Sequence, residues 1–247
     1  MALFQSMEKQ GNYLFRYRGQ FPVLLFLIAI PFIYITNYQE ISINLKSLFI
    51  QSSICISFLG FLIRFYTIGT TPKGTSGRNT KKQVANVLNS SGIYSLIRHP
   101  LYLGNYLIWL GIALSTFNVF FVLIMSLLFW LYYERIMIAE EKFLESKFGI
   151  DFINWSNSLP AFLPLKLKFK KSDTKFSIIT VLRREYASVL SCVFGFIFVE
   201  LLKNYFSFNK ISISETSMKV LIFTLITVLI LRSLKHYTNL LAEKERS

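Results

Sequence analysis

Residues 91–104, SGIYSLIRHPLYLG, determine how the rest of this chain is interpreted. They place the tripeptide Arg98-His99-Pro100 at the start of an apolar run. Pro100 suits the first turn of a helix, where its missing N–H group is not needed. The N–H groups of that turn are expected to be free and to favour a negative group. A polar ligand is therefore indicated here, although an interfacial arginine with a capping turn explains the tripeptide equally well on its own.

The composition is typical of a membrane protein. Of the 247 residues, 53% are hydrophobic and 17% are aromatic, and the mean hydropathy is +0.47. The 27 Lys and Arg outnumber the 13 Asp and Glu, so a net charge of +14 must lie in a few polar segments. Such charge suits anionic head groups or anionic ligands. No nucleic-acid motif is present, so we expect no nucleic-acid partner. No pattern in the sequence indicates a protein partner either.

The cysteines and the N-terminal residues argue against a disulfide-rich or metal-binding protein and against a cleaved signal peptide. Cys55 and Cys192 lie in apolar runs, where thiols usually act as small buried hydrophobes. We therefore expect neither a disulfide framework nor a metal site. Residues 1–20 are mixed polar and aromatic, and no small-residue cleavage site follows the first apolar run. The first span is predicted to remain in the mature protein.

Six apolar runs approach the roughly 20 helical residues that a bilayer core of about 30 Å requires. They lie near 20–37, 47–66, 101–117, 119–138, 186–205 and 217–234. Only residues 115–118 separate the third run from the fourth, which predicts an antiparallel helical hairpin. The sequence thus predicts an all-α polytopic membrane protein with about six transmembrane helices. Residues 1–247 would form one membrane domain that ends in a helical hairpin, 180–247.

The distribution of basic residues predicts the orientation. Of the 27 Lys and Arg, 23 lie in or beside one alternate set of connecting segments and four in the other. Cytoplasmic segments carry such an excess. We therefore expect both termini, the Arg98-His99-Pro100 stretch and the segment after Glu141 to be cytoplasmic.

Two connecting segments have distinctive compositions. Residues 70–79 combine helix-breaking Gly and Pro with hydroxyl and basic side chains that could meet a phosphate, or they form an ordinary solvated loop. They are not a Walker A motif, because no strand precedes them. Residues 141–180 contain aromatic residues, two prolines and the basic strip 166–171. We interpret this segment as an interfacial cap with a short amphipathic helix and a proline turn.

The predicted hairpin returns Glu140 and Glu141 to the membrane face that holds His99. Acidic residues at the end of an apolar helix usually cap or pair, and we interpret Glu134 beside Arg135 in this way. Glu140 and Glu141 are instead expected to belong to the site around His99.

Three ordered motifs together resemble the isoprenylcysteine carboxyl methyltransferase and phospholipid methyltransferase superfamily of integral membrane enzymes. The resemblance covers residues 60–165. The motifs are Gly92-x-Tyr94-x3-Arg98-His99-Pro100-x-Tyr102-x-Gly104, Glu140-Glu141-x2-Leu144-x3-Phe148-Gly149 and Pro160-x3-Pro164.

The resemblance implies a methyltransferase core that binds S-adenosyl-L-methionine at the cytoplasmic ends of the hairpin helices. It implies that Glu140 and Glu141 hold polar groups of the cofactor. The residues that would line the pocket are His99, Pro100, Tyr102 and Gly104.

The chemistry of the cofactor agrees with this assignment. S-adenosyl-L-methionine carries a sulfonium, an α-ammonium and ribose hydroxyls, which carboxylates and aromatic faces complement. Tyr94, Tyr102 and Tyr106 are near enough in sequence to serve, and Gly104 would let the ligand approach the backbone. The Gly-rich motif of soluble methyltransferases is absent, so a membrane-type pocket is the consistent one.

One departure from the carboxyl methyltransferase branch bears on the substrate. That branch has an arginine two residues before the first proline of Pro160-x3-Pro164, where this chain has Ser158, so a prenylcysteine carboxyl substrate is in doubt. We expect a catalytic set of Arg98, Glu141, Arg183 and Arg184. The expected substrate-binding set is Arg64, Arg78, Arg183 and Arg184. The guanidinium groups of these arginines suit phosphate oxygens, although the Arg183-Arg184 pair could instead serve only to set the membrane topology.

A lipid phosphate is the favoured acceptor, because the chain also resembles a bacterial branch that methylates the 1-phosphate of lipid A. The protein would then lie in a bacterial inner membrane with a cytoplasmic site. An amine such as phosphatidylethanolamine would instead need a proton acceptor, either Glu141 or Glu134. Two interpretations lie outside the class, namely a membrane reductase that binds NADPH and a non-enzymatic scaffold that binds neither cofactor.

Overall fold

The computed structural model describes residues 2–72, 74–75, 83–164 and 168–243. Helices account for the regular structure of these residues, and Gly92 and Lys170 form an isolated antiparallel bridge. The prediction of an all-α protein is confirmed. The helices are α1 Leu3–Arg16, α2 Leu24–Ile35, α3 Ile43–Thr70, α4 Pro100–Leu114, α5 Val119–Phe148, α6 Ile150–Asn157, α7 Ile178–Phe208 and α8 Glu215–Tyr237.

Six apolar helices correspond to the six predicted spans. Four of them, α3, α5, α7 and α8, are long and apolar enough to cross a membrane. The other two are shorter, since α2 has 12 residues and α4 has 15. Pro22 precedes α2 in a 3-10 turn and Pro31 lies within it, which limits its regular length. The chain is thus a polytopic membrane protein with two apolar helices shorter than expected.

Three features of the helices differ most from the sequence prediction. Helix α5 continues ten residues past the predicted end at 138, to Phe148, so Glu140 and Glu141 lie inside the helix and not after it. Helix α7 begins at Ile178 and not at 186, because Ser177 caps it by accepting a hydrogen bond from the Thr180 N–H. The Arg183-Arg184 pair therefore lies within a helix. Helix α1 was not predicted at all.

Helices α3 and α4 pack closely and antiparallel through small residues. A methyl group added at Gly60 would lie 2.6 Å from the Gly104 carbonyl oxygen, and one at Gly111 would clash with Ser57 and Ser53. The order of these contacts along the two helices shows the opposite chain directions. Such contacts let two backbones approach within a membrane. They also fix the position of His99, which directly precedes α4, along the bundle axis relative to the end of α3.

Helices α4 and α5 form the predicted hairpin. Asn118 caps α5 by accepting from the Phe121 N–H at 3.0 Å, and its amide donates to the Phe32 carbonyl and the Thr36 hydroxyl of the α2 end. The Tyr38 hydroxyl donates to the Thr116 carbonyl at 2.8 Å. The hairpin turn is thus held against the end of α2.

Residues near both ends of the described chain lie at the end of the bundle that holds His99. Arg18, shortly after α1, is 3.9 Å from Glu140. Leu241 and Glu243, after α8, contact Arg183 and Arg184 near the start of α7. This arrangement is what two termini on one side of the membrane require. We call this end of the molecule the polar end.

The predicted cap consists of α6 and the bends that follow it. Lys168, Lys170 and Lys171 are exposed, as a basic strip requires, while Lys166 and Leu167 lie outside the described residues. The Gly92 N–H donates to the Lys170 carbonyl at 2.8 Å, so the strip is attached to the segment before α4.

Candidate active site

Backbone hydrogen bonds fix the position of the Arg98-His99-Pro100 stretch. The N–H groups of Arg98 and His99 donate to the carbonyls of Pro160 and Ala161 at 3.1 and 3.0 Å. The first and third sequence motifs therefore meet in space. The Tyr102 N–H donates to the His99 carbonyl, so the expectation of free N–H groups at this helix start is wrong for His99 and Tyr102. The N–H groups of Arg98, His99 and Tyr102 are thus already used, and the polar side chains remain to recognise a ligand.

The side chains of α4 and α5 bring the predicted cluster together. The His99 Nε2 lies 2.8 Å from Glu141 Oε1, and the Tyr102 hydroxyl donates to Glu140 Oε1 at 2.8 Å. The His99 Nδ1 is 3.7 Å from Glu140 Oε2. One imidazole thus faces both carboxylates, and the hairpin places Glu140 and Glu141 beside His99 as its geometry predicts.

Arg98 joins the cluster from the side. Its Nε lies 3.1 Å from Glu141 Oε1 and its Nη1 donates to the Ser156 carbonyl at 3.1 Å. The Nε is buried, and its N–H group is not aimed at an acceptor, although the charge itself is paired with Glu141. A buried donor of this kind is uncommon and favours a ligand with an acceptor atom.

Tyr94 lies in a 3-10 turn, Ile93–Ser95, before α4. The Trp155 Nε1 donates to its carbonyl at 3.2 Å, which fixes α6 against this turn. Burial and the nearby Glu140 carboxylate raise the pKa of the Tyr94 phenol well above its ordinary value. The phenol therefore remains neutral at physiological pH and can act as an aromatic face or a donor.

These side chains surround a cavity of about 660 Å³. This volume lies within the range of small-molecule and cofactor sites. Its polar part is at the polar end, and its apolar part extends between α2, α4 and α7, where Phe26, Trp109 and Ile112 line it. The predicted site residues that line it are Arg64, Tyr94, Arg98, His99, Pro100, Tyr102, Glu140, Glu141 and Arg184.

Other predicted residues lie elsewhere. Gly104 faces α3, where an added methyl group would be 2.6 Å from the Arg64 Cγ, so it serves helix packing and does not line the cavity. Arg183 also does not line the cavity, because its guanidinium donates to the Leu241 carbonyl at 2.7 Å. The Tyr106 hydroxyl donates to Ser126. Arg78 lies outside the described residues.

Two arginines of the cavity wall are already paired. The Arg64 guanidinium makes hydrogen bonds of 2.8 and 2.7 Å to Glu185, and its Nη1 donates to Asn105. Arg184 forms a two-pronged pair with Glu243 at 2.7 Å for each bond. An anionic ligand would have to compete with these carboxylates, which weakens the prediction that Arg64 binds substrate directly.

Glu134 behaves as the sequence suggests. It pairs with Arg135 at 2.7 Å and does not line the cavity. Within the described parts of the chain, no group of three or more His, Cys, Asp or Glu residues could hold a metal ion.

Comparison with known proteins finds similarity in the segment that contains this site. Residues 53–151 match the model of the phospholipid methyltransferase family. This segment is therefore similar to the phospholipid and isoprenylcysteine methyltransferases, and we call residues 53–151 the methyltransferase segment. The methyltransferase segment contains His99, Glu140 and Glu141, and it ends before the Pro160-x3-Pro164 motif.

Curated relatives each match less than half of the chain. A cobalt-zinc-cadmium resistance protein of Cupriavidus metallidurans is 34% identical over 93 residues, which are 38% of this chain and 42% of that protein. The protein-S-isoprenylcysteine O-methyltransferase of Schizosaccharomyces pombe is 28% identical over 123 residues, 47% of this chain and 52% of that protein. The Saccharomyces cerevisiae protein of the same name is 32% identical over 85 residues, which are 34% of this chain and 36% of that protein.

The chain thus spans about half or less of the length of these relatives. No solved structure gives a significant match.

Several cavity residues were not predicted from the sequence. Arg18 comes from the segment after α1, and Glu185 from α7, both outside the methyltransferase segment. Asn105 and Tyr133 lie in α4 and α5, where the Asn105 amide donates to the Tyr133 hydroxyl at 3.2 Å. A polar residue such as Asn105 inside an apolar run is a signal that could have been used. Arg18 and Glu185 gave no comparable signal.

Proposed function

We propose that this protein is an S-adenosyl-L-methionine-dependent methyltransferase that acts on the polar head of a membrane lipid. The observation that carries the proposal is the shape of the cavity. One end presents His99, Glu140 and Glu141, and the other extends between apolar helices. A soluble cofactor and a lipid-anchored acceptor could therefore meet within one site.

The side chains at the polar end fit this cofactor. Carboxylates complement its cationic groups, and the rings of Tyr94 and Tyr102 offer aromatic faces to a sulfonium. The buried Arg98 Nε–H offers a hydrogen bond to an acceptor atom. When bound, S-adenosyl-L-methionine supplies an electrophilic methyl group. We assign cofactor binding to Tyr94, His99, Pro100, Tyr102, Glu140 and Glu141.

The residues of the chain would act mainly by positioning. Glu141 accepts from His99 and faces Arg98, so each of these side chains is held in one orientation. Tyr102 holds Glu140 in the same way. A methyl acceptor that enters between α4 and α7 would be kept close to this cluster by the apolar wall. Holding two reactants in contact contributes strongly to rate without any proton transfer.

The favoured acceptor is an anionic oxygen, and among these the 1-phosphate of lipid A. A phosphate oxygen is charged at neutral pH and needs no general base. Arg98 and Arg184 line the cavity, and their guanidinium groups suit phosphate oxygens, although a phosphate at Arg184 would have to displace Glu243. This acceptor would place the protein in a bacterial inner membrane, with the polar end toward the cytoplasm.

A carboxylate on a lipidated cysteine is the second candidate, because two relatives carry the name protein-S-isoprenylcysteine O-methyltransferase. Ser158 occupies the position of the arginine of that branch, and its hydroxyl is exposed and donates to the Trp155 carbonyl. For an amine acceptor such as phosphatidylethanolamine, Glu141 would have to act as the base, because Glu134 lies outside the cavity.

The test is transfer of radiolabelled methyl by the purified chain in lipid nanodiscs. Separate reactions would contain lipid A, phosphatidylethanolamine and a farnesylated cysteine derivative. We expect cofactor-dependent label in lipid A that resists mild base. Label only in the second or third acceptor would move the assignment to that class. Binding of NADPH without binding of S-adenosyl-L-methionine would favour a reductase.

Matched variants connect the activity to the cavity. His99→Ala and Glu141→Ala should each lose most label transfer. Glu134→Ala, which removes a carboxylate of the same helix outside the cavity, should retain it. Equal loss in all three variants, or no label in any acceptor together with no binding of the cofactor, would refute the proposal.

A further inference from the structure

The N-terminal helix α1 packs on the part of α5 that carries the carboxylates. Gly11 of α1 contacts the Arg135 carbonyl and Ala139 so closely that a methyl group at Gly11 would overlap both. The Tyr132 hydroxyl donates to the Leu14 carbonyl at 3.2 Å. The segment that follows α1 is thereby brought beside Glu140, although it lies outside the methyltransferase segment.

Arg18 is the residue of this segment that reaches the cluster. Its Nη1 lies 3.9 Å from Glu140 Oε1, an ion-pair distance that is longer than a hydrogen bond. Its guanidinium stacks over the Phe15 ring at 4.2 Å from the centroid, and both residues line the cavity. The aromatic ring restricts the orientation of the guanidinium.

An α-amino acid group places an ammonium and a carboxylate on the same carbon atom. Its receptor needs a carboxylate and a cation side by side and not tightly bonded to each other. Glu140 and Arg18 meet this requirement. The neighbouring cation, Arg98, is instead 3.1 Å from Glu141, the other carboxylate of the cluster, and donates to the Ser156 carbonyl.

We propose that Arg18 binds the carboxylate of the methionine part of S-adenosyl-L-methionine while Glu140 receives the α-ammonium. This inference rests on the proposed function and adds a cofactor-binding residue from outside the methyltransferase segment. The ribose and adenine are then left to the part of the polar end formed by Tyr94, Trp155 and their neighbours.

The experiment compares two ligands on the full chain in nanodiscs by calorimetry. One is S-adenosyl-L-methionine and the other is its decarboxylated form, which keeps the sulfonium and the ammonium but has no carboxylate. The original protein should bind S-adenosyl-L-methionine about 10- to 100-fold more tightly, the usual effect of a charged hydrogen-bond partner. Arg18→Gln should lose this preference and bind both ligands with similar affinity.

Two further variants separate binding from a structural role. Arg18→Lys keeps the charge and should retain part of the preference. Arg16→Gln changes an exposed arginine at the end of α1 and should behave like the original protein. If Arg18→Gln weakens both ligands equally, or neither, Arg18 does not bind the carboxylate and the inference fails while the proposed function stands. If the original protein binds neither ligand, both proposals fail.

Discussion

Arg64 and Glu185, 121 residues apart in the chain, join α3 to α7 by two hydrogen bonds of 2.8 and 2.7 Å. Their side chains are only 12% and 3% exposed. Asn105 of α4 accepts from the same guanidinium and donates to Tyr133 of α5. One polar network therefore connects four helices at the wall of the cavity, and it couples the C-terminal helices to the methyltransferase segment.

This network predicts an asymmetric effect on stability. Glu185→Ala would leave the buried Arg64 charge without its partner and should lower the free energy of unfolding by about 3–5 kcal/mol. The double variant Arg64→Met with Glu185→Leu should recover much of that loss, because no unpaired charge remains. Thermal unfolding in nanodiscs measures both. The exposed pair Glu215 and Lys219 is the control, and Glu215→Gln should change nothing measurable. A double variant that is less stable than Glu185→Ala would contradict this explanation.

The contact between α3 and α4 predicts a cost for added volume. Gly60→Ala would place a methyl group 2.6 Å from the Gly104 carbonyl oxygen, and the two helices would have to separate. We expect a loss of about 1–3 kcal/mol in the free energy of unfolding. Gly19→Ala is the matched control, since its methyl group would meet no atom within 4 Å. Equal unfolding temperatures for the two variants would show that the helices yield easily here.

The hydroxyl of Tyr102 predicts a small and specific loss of cofactor affinity. Tyr102→Phe keeps the ring but removes the donor to Glu140, so the carboxylate is held less firmly. The dissociation constant for S-adenosyl-L-methionine should rise about 3- to 10-fold. Tyr106→Phe removes a hydroxyl that donates to Ser126 outside the cavity, and it should leave the constant unchanged. Calorimetry on both variants decides the matter, and a larger effect in Tyr106→Phe would reverse the assignment.

Under the proposed function, a bulky side chain in the apolar part of the cavity should weaken binding of the lipid acceptor and not of the cofactor. Ser188→Trp would fill the space between α4 and α7 and should raise the KM of the lipid acceptor by roughly tenfold, while cofactor affinity stays the same. Leu229→Trp places the same ring on an exposed position of α8 and should alter neither quantity. If Ser188→Trp weakens the cofactor and spares the acceptor, the lipid enters by another route.

The sequence was informative where the relevant contacts are local. A short connection between two apolar runs predicts that α4 and α5 form a hairpin, and this alone brings Glu140 and Glu141 beside His99. Gly104 shows the limit, because its spacing from His99 is compatible both with a ligand and with α3. Only the position of Gly60, in a different helix, selects between them.

The missed features depend on distant parts of the chain. Glu185 lines the cavity only because α7 packs against α3 and α4, and the apolar pattern of α7 alone does not predict which helices it contacts. Helix α1 lacks a side-chain N-cap and contains Gly11, but its apolar residues fall on one face, an amphipathic pattern that the sequence prediction missed, and packing against α5 stabilises the helix. Arg183 and Arg184 are neighbours in sequence, but they point to different partners because successive residues of a helix do not share a face.

The position of Gly11 against α5 has a consequence for biosynthesis. The ribosome makes α1 before α5, and the surface on which α1 rests is made more than a hundred residues later. Helix α1 can therefore reach its final position only after α5 has been made, and only then can it close one side of the cavity. A large protein fused directly before α1 would hinder this late docking step, even if every apolar helix were inserted correctly.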